Sequence, residues 1–142
     1  MALFLDTSAL VKLYVPEAGS AEVERLADAD PVIHVGSLAE HEFLSAILRR
    51  VRLSQMSSSE ASTSLEEFRG WLLARANTVQ FGPPVSDRAR DLLERHHFAG
   101  LRLLDAIQLA CCLAVPGAEM VLADRALARV AEAEGVVTRI VG

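Results

Sequence analysis

The fold is decided by residues 2–14, ALFLDTSALVKLY. The first four of these residues form a short apolar run that ends at Asp6, and apolar residues then recur at helical spacing through Tyr14. This order predicts a strand, a turn and a helix. Because the run contains no alternating polar residues, the strand should be buried on both faces, as in a parallel sheet.

The same order of strand and helix returns along the rest of the chain. Further strands are predicted at 32–35, 78–81, 120–123 and 136–140, and helices at 38–52, 57–74, 86–96, 102–114 and 125–134. Strands that alternate with helices indicate an α/β domain with a mainly parallel sheet of about five strands. With 142 residues and no linker or low-complexity segment, the chain is expected to be one domain over residues 1–142.

Three serines are predicted to begin helices. Ser37 with Glu40, and Ser57 with Glu60, have the spacing of a capping box, in which the serine and the acid satisfy each other's backbone N–H groups. Ser86 is expected to cap the helix that follows Gly82-Pro83-Pro84.

Composition excludes several classes of protein. No apolar stretch approaches the ~20 residues that cross a bilayer, and the opening residues lack a basic region and a signal-peptide cleavage site, so a cytoplasmic protein without membrane contact is expected. The adjacent Cys111 and Cys112 suit neither a zinc site nor a disulfide scaffold and should be core residues. The net charge of −5 means that nucleic acid binding would depend on metal ions and local arginines.

The histidines do not have the spacing of metal ligands, and His96 and His97 are expected to stabilise a helix end. The sequence also lacks a glycine-rich phosphate loop and a nucleophile elbow, which argues against nucleotide-binding proteins and serine hydrolases.

Asp6 and Asp124 each follow a predicted strand. In parallel sheets, the groups that bind ligands collect beyond the carboxyl ends of the strands, so the two acids are expected to lie at one edge. Each acid could instead serve only as the N-cap of the next helix.

Asp105 lies in a predicted helix that is apolar on almost every side and should therefore be buried. Arg102, Asp105 and Gln108 recur at intervals of three and form one narrow polar stripe. Because a buried carboxylate is costly unless it is paired or bound to a metal, the stripe should line a site. An ion pair between Arg102 and Asp105 with no other role is the alternative.

Glu42 is harder to place from spacing alone. The main apolar stripe of its helix is predicted to be Leu44, Ile47, Leu48 and Val51, and Glu42 stands about 160° from Leu44 at about 100° per residue. This position predicts a solvent-exposed acid.

Carboxylates gathered at one edge of a sheet would repel each other by ~4 kcal/mol per pair at 4 Å and an effective dielectric near 20. Such a cluster requires cations, and a site made only of oxygen ligands suits Mg²⁺ or Mn²⁺ better than zinc. These ions can activate water and orient a phosphodiester, so the residues favour metal-assisted phosphodiester hydrolysis.

Four motifs occur in order along nearly the whole chain: Phe4–Lys12, Ser37 followed by Glu42, Leu101–Ala106 and Ala123–Leu127. In this respect the sequence resembles the PIN-domain nucleases, and more narrowly the VapC-type toxins of bacterial toxin–antitoxin pairs. The resemblance implies a three-layer α/β/α domain and a catalytic site for Mg²⁺ or Mn²⁺ made by Asp6, Glu42, Asp105 and Asp124. It also implies RNA cleavage, a homodimer and inhibition by a small antitoxin.

The resemblance assigns supporting roles as well. Thr7 and Ser8 match positions that support the first acid or the metal's waters. If the chain is a ribonuclease, Arg102 or the cluster Arg49, Arg50 and Arg52 is expected to assist RNA binding. Leu122 departs from the pattern, since the family commonly has Thr or Ser two residues before the last acid.

Other interpretations of the sequence are open. The chain could be a housekeeping PIN nuclease without an antitoxin, or a non-catalytic module that binds RNA or protein. A phosphatase of the haloacid dehalogenase type expects a second Asp where this chain has Ser8. The cluster Arg49, Arg50 and Arg52 could bind RNA or simply be a solvated helix end, and Trp71 could lie in the core or on a docking surface.

Overall fold

The computed structural model describes residues 1–29 and 31–142, and one sheet organises them. Five strands lie in the order β3-β2-β1-β4-β5, and every neighbouring pair is parallel. The strands are β1 (Ala2–Leu5), β2 (Val32–Gly36), β3 (Ala76–Val79), β4 (Glu119–Leu122) and β5 (Thr138–Ile140). The predicted α/β class and the parallel sheet of five strands are therefore confirmed.

Helices cover both faces of this sheet. They are α1 (Thr7–Leu10), which continues as a 3-10 turn over Val11–Leu13, then α2 (Ser20–Asp28), α3 (Ala39–Arg52), α4 (Ser58–Arg75), α5 (Pro83–Arg95), α6 (Leu103–Leu113) and α7 (Arg125–Ala133). A second 3-10 turn, His97–Ala99, leads from α5 towards α6. No helix in the described part of the chain is both long and apolar enough to cross a membrane.

The central strand β1 explains the three layers. Successive side chains of a strand point to opposite faces. Leu3 and Leu5 pack with residues of α1–α4, whereas Phe4 packs with residues of α5–α7. All three side chains are fully buried, so each face of the sheet has its own apolar core.

Aromatic side chains fill the core between α3 and α4. The rings of Phe43 and Phe68 stack with centroids 4.0 Å apart, and Tyr14 meets both edge-on. Trp71 stacks on Phe68 at 6.4 Å, which agrees with the core placement of Trp71. The adjacent Cys111 and Cys112 are also buried, as predicted.

The predicted helix caps have different outcomes. Ser57 and Glu60 form the expected capping box. Ser37 and Glu40 do not, because the Ser37 Oγ accepts a hydrogen bond from the Phe81 N–H at 3.0 Å and Glu40 pairs with Arg69 at 2.6 Å. The hydroxyl thus joins the end of β2 to the segment after β3 and does not cap α3.

The prediction that Ser86 caps α5 is also wrong. The helix begins at Pro83, with Gly82 as its N-cap, and the Ser86 N–H bonds to the Gly82 carbonyl. Proline suits the first turn of a helix because its missing N–H would have no partner there.

Other differences lie at element ends. Helix α2 was not predicted; it begins after Gly19 at φ 90°, a left-handed conformation that favours glycine. Strand β3 begins at Ala76, directly after α4, two residues earlier than predicted. The first turn of α6 is not buried, since Leu103 and Leu104 are 60% and 47% exposed.

Candidate active site

A cleft of about 360 Å³ opens where the carboxyl ends of β1 and β4 meet the first turns of α3 and α6. Its lining includes all four acids that the sequence analysis selected, Asp6, Glu42, Asp105 and Asp124. Residues more than 100 positions apart in the chain thus meet at one site.

The sheet topology accounts for this meeting. Asp6 follows the last residue of β1, and Asp124 comes two residues after the end of β4, the parallel neighbour of β1. Glu42 and Asp105 lie in the first turns of α3 and α6. The partial positive charge of a helix N-terminus favours an acid at both places.

Asp6 is 7% exposed, and Ser8 holds it. The Ser8 backbone N–H and side-chain hydroxyl both donate to the Asp6 Oδ2, and the same hydroxyl accepts from the Ala123 N–H at 3.0 Å. Burial raises the pKa of Asp6, and the like charge of Asp105 adds to this, although the Ser8 hydrogen bonds act in the opposite direction. The role predicted for Ser8 is consistent with this geometry.

Glu42 is half-buried and is held by Gln108. The Gln108 Nε2 donates to the Glu42 Oε1 and lies 3.5 Å from the Thr7 Oγ1. Burial is the main cause that raises the pKa of Glu42; the Gln108 hydrogen bond opposes it, and the charge of Asp6 adds to it. Glu42 is therefore not the solvent-exposed acid that helical spacing predicted.

The reason lies in the packing of α3. Its buried residues are Ala39, Phe43 and Ile47, whereas Leu48, a member of the predicted stripe, is 44% exposed. The true buried stripe is rotated relative to the predicted one. This rotation turns Glu42 towards the cleft.

Arg102 joins the other two acids. Its Nε lies 3.1 Å from the Asp105 Oδ2, and its Nη2 lies 3.3 Å from the Asp124 Oδ2. Asp124 also accepts, through Oδ1, from the backbone N–H groups of Ala126 and Leu127, so it is both an N-cap and a cleft residue. The ion pair between Arg102 and Asp105 and the N-cap formed by Asp124 are therefore both present, and the two acids also line the cleft.

A linked group of charged side chains at the cleft, Lys12, Glu17 and Arg50, has no signal in the sequence. The buried Lys12 Nζ lies 3.1 Å from the Glu17 Oε1 and 2.6 Å from the Ala18 carbonyl oxygen. Glu17 pairs through its other oxygen with Arg50 at 2.9 Å, and both Glu17 and Arg50 line the cleft. No periodicity marks Glu17, because it lies in a loop.

Gln108 was a member of the predicted stripe but was not selected as a site residue. It is 2% exposed, and its Oε1 has no hydrogen-bond partner among the described residues. Its spacing was the available signal, because Arg102, Asp105 and Gln108 follow one another at intervals of three residues. Leu122, where the family commonly has a hydroxyl, has an apolar side chain that is fully buried, and the next N–H, that of Ala123, donates to the Ser8 Oγ.

Within residues 1–29 and 31–142, no three Asp, Glu, His or Cys side chains are arranged as a metal-binding group. The cleft carboxylates are instead hydrogen-bonded by Ser8, Gln108 and Arg102. Their chemistry nevertheless suits a hard divalent cation: the four acids supply only oxygen ligands, and two of them have raised pKa values that a nearby cation would lower.

Comparison with known proteins decides the family. The model of the PIN domain family matches residues 3–133. The chain is a PIN-domain protein. This PIN domain is 31% identical over 128 residues to Ribonuclease VapC3 of Pyrobaculum aerophilum, with 90% of this chain and 93% of the relative covered.

Solved structures agree with the PIN fold. VapBC2 from Rickettsia felis, bound to a DNA fragment from their promoter, superimposes with a TM-score of 0.70 over 100% of both chains at 15% identity. VapBC-5 from Mycobacterium tuberculosis, a member of the VapBC family of toxin–antitoxin systems, gives 0.59 over 98% of this PIN domain and 96% of that chain at 14% identity.

Proposed function

We propose that this PIN domain is a metal-dependent endoribonuclease that hydrolyses RNA phosphodiester bonds as the toxin of a toxin–antitoxin pair. The observation that carries the proposal is the convergence of Asp6, Glu42, Asp105 and Asp124 on one cleft. The relative named Ribonuclease VapC3 and the toxin–antitoxin neighbour support the activity and the biological role.

The four acids would hold Mg²⁺ or Mn²⁺. When bound, such an ion lowers the pKa of water and neutralises the charge that develops on a phosphodiester. Asp6 and Asp105 are the central pair, because Asp6 is the most buried of the four acids and Asp105 contributes to raising its pKa.

The protein's own side chains position these acids. Ser8 holds Asp6 against the end of β4, and Gln108 and Thr7 hold Glu42. Arg102 has an exposed side chain, so its guanidinium can leave Asp105 and Asp124 to contact a phosphate. It would then stabilise negative charge on the substrate at the mouth of the cleft.

The proposal extends to the location and the partners, and the toxin–antitoxin neighbours support an antitoxin. The toxin would act in the cytoplasm, as a homodimer, and a small antitoxin protein would block the acidic cleft. A housekeeping PIN nuclease would share the chemistry but have no such inhibitor.

The test is RNA cleavage by the purified chain with and without Mg²⁺ or Mn²⁺. The wild type should cut RNA at discrete positions only with the metal, and Asp6→Asn or Asp105→Asn should lose more than about 100-fold, because even indirect supports of metal ligands typically contribute 10–100-fold. Asp87→Asn is the matched control, since Asp87 is an exposed acid that pairs with Arg90 on α5.

In a bacterial host, the wild type should arrest growth, whereas Asp105→Asn should not. A wild-type chain that binds RNA without cutting it under any metal condition would contradict the proposal and support the non-catalytic module.

A further inference from the structure

A second depression adjoins the acidic cleft. It has a volume of about 480 Å³ and lies between the outer face of α3 and the first turn of α6; we call it the α3–α6 groove. Glu42 and Ala46 line both the cleft and the groove, so the two are continuous. A polymer that leaves the cleft on this side must pass along the groove.

The groove combines an apolar floor with basic residues. Leu104 is 47% exposed, although it belongs to a helix whose composition predicts burial, and Leu38 and Ala46 contribute further apolar surface. Arg49 and Arg52 line the same groove from α3. The volume falls in the range of about 300–1,000 Å³ that is typical of sites for small ligands, so the groove has room for a nucleotide.

The two arginines are not neutralised within the protein. Arg50, between them in sequence, pairs with Glu17, but neither Arg49 nor Arg52 has an ion-pair partner in the described ranges. Residues three apart on a helix lie on the same side, so both guanidinium groups can act together. A guanidinium offers paired N–H donors that match the oxygens of a phosphate.

From these observations we propose that the α3–α6 groove binds the single-stranded RNA segment next to the scissile phosphate. Arg49 and Arg52 contact its backbone phosphates, and one unpaired base lies on Leu104 and Leu38. The segment must be single-stranded, because a base in a duplex cannot present its flat face to a side chain. This inference rests on the proposed ribonuclease function and names the binding site of its substrate.

The continuity with the cleft and the two unpaired arginines favour RNA over a protein partner. The groove also gives the otherwise acidic protein a local attraction for the substrate, which its net charge of −5 does not provide.

The test measures binding of a fluorescein-labelled single-stranded RNA by anisotropy, with the full chain carrying Asp105→Asn so that the RNA stays intact. Adding Arg49→Gln and Arg52→Gln should weaken binding about tenfold. The slope of log affinity against log salt should fall in magnitude by about 1.4, since each phosphate contact with a single strand contributes about 0.7. Leu104→Ser should weaken binding without changing the slope.

Arg88→Gln with Arg90→Gln is the matched control, because it removes the same charge from α5 and neither residue lines the cleft or the groove. Circular dichroism of each variant confirms that it is folded. In the otherwise wild-type chain, the Arg49 and Arg52 changes should raise KM and leave kcat within about twofold, since residues that only bind substrate contribute to uniform binding.

Unchanged affinity and salt slope in the Arg49 and Arg52 variant would overturn the groove proposal. Weaker antitoxin binding or dissociation of a dimer, with unchanged RNA affinity, would identify a protein interface and also overturn it. These outcomes are separate from failure of the ribonuclease proposal, which would appear as an absence of cleavage by the wild-type chain.

Discussion

The carboxyl group of Asp6 is buried among apolar residues and other acids, and its protonation should control stability. Its pKa is raised above the ordinary value of 3.8, so the folded chain retains this proton at a pH where the unfolded chain has lost it. Stability should therefore fall as pH rises from about 4 through the folded pKa. At higher pH the folded chain carries the full free-energy cost of the buried carboxylate, and this group causes no further change in stability.

Asp6→Asn should remove this part of the pH dependence. The amide has a similar shape and can still cap α1, but it never acquires the charge. Urea unfolding at pH 4, 6 and 8 without added metal should show that the variant is more stable than the wild type at pH 8, with a difference that shrinks at pH 4. A constant difference across this range would mean that Asp6 does not titrate as described.

Gln108 is expected to affect activity through Glu42. Gln108→Ala removes the donor to the Glu42 Oε1, and loss of such a supporting hydrogen bond typically costs 10–100-fold in activity. RNA cleavage rates would measure the loss. Gln55→Ala, at an exposed position, is the control and should be neutral. Equal activity of the two variants would show that Gln108 only fills space.

Packing between α3 and α4 should dominate stability on that side of the sheet. Phe68 is fully buried and stacks on Phe43, so Phe68→Ala should cost about 3–5 kcal/mol in the free energy of unfolding. On the same helix, Leu73 is 91% exposed, and Leu73→Ala should change stability by less than about 0.5 kcal/mol. Denaturant titration of both variants checks the prediction, and similar losses would contradict the assigned face of α4.

The elements whose own residues determine them were predictable from the sequence. Strand β1 is a continuous apolar run, and α4 carries a capping box that forms as expected. The caps at Ser37 and Ser86 were mispredicted because tertiary contacts and proline determined the helix starts. The residues around Ser37 do not indicate where Phe81 lies in the fold, and it is the Phe81 N–H that donates to the Ser37 hydroxyl.

The residues of the candidate site also differ in how far the sequence alone could predict them. Asp6 and Asp124 could be expected at one edge because parallel strands converge there, and the polar stripe on α6 indicated Asp105. Glu42 needed the family pattern, since the rotation of α3 depends on its packing against α4. The link from Lys12 through Glu17 to Arg50 joins the 3-10 turn after α1, a loop and α3, and it has no sequence signal.

For the whole molecule, the fold concentrates negative charge where the strands end. A chain with a net charge of −5 places five carboxylates around one cleft, those of Asp6, Glu17, Glu42, Asp105 and Asp124. Among the described residues that line the cleft, the basic side chains are those of Arg50 and Arg102. A bound divalent cation would relieve this repulsion, and by linkage it should stabilise the folded chain.

Whether the cleft acids bind a divalent cation can be measured directly by titrating the purified chain with Mn²⁺ at pH 7.5 and monitoring the free ion by electron paramagnetic resonance. We expect a saturable Mn²⁺ site in the wild type that weakens more than about tenfold in Asp6→Asn and in Asp105→Asn, but not in the control Asp87→Asn. Mn²⁺ affinity that is the same in all four proteins, or absent from the wild type, would contradict this expectation.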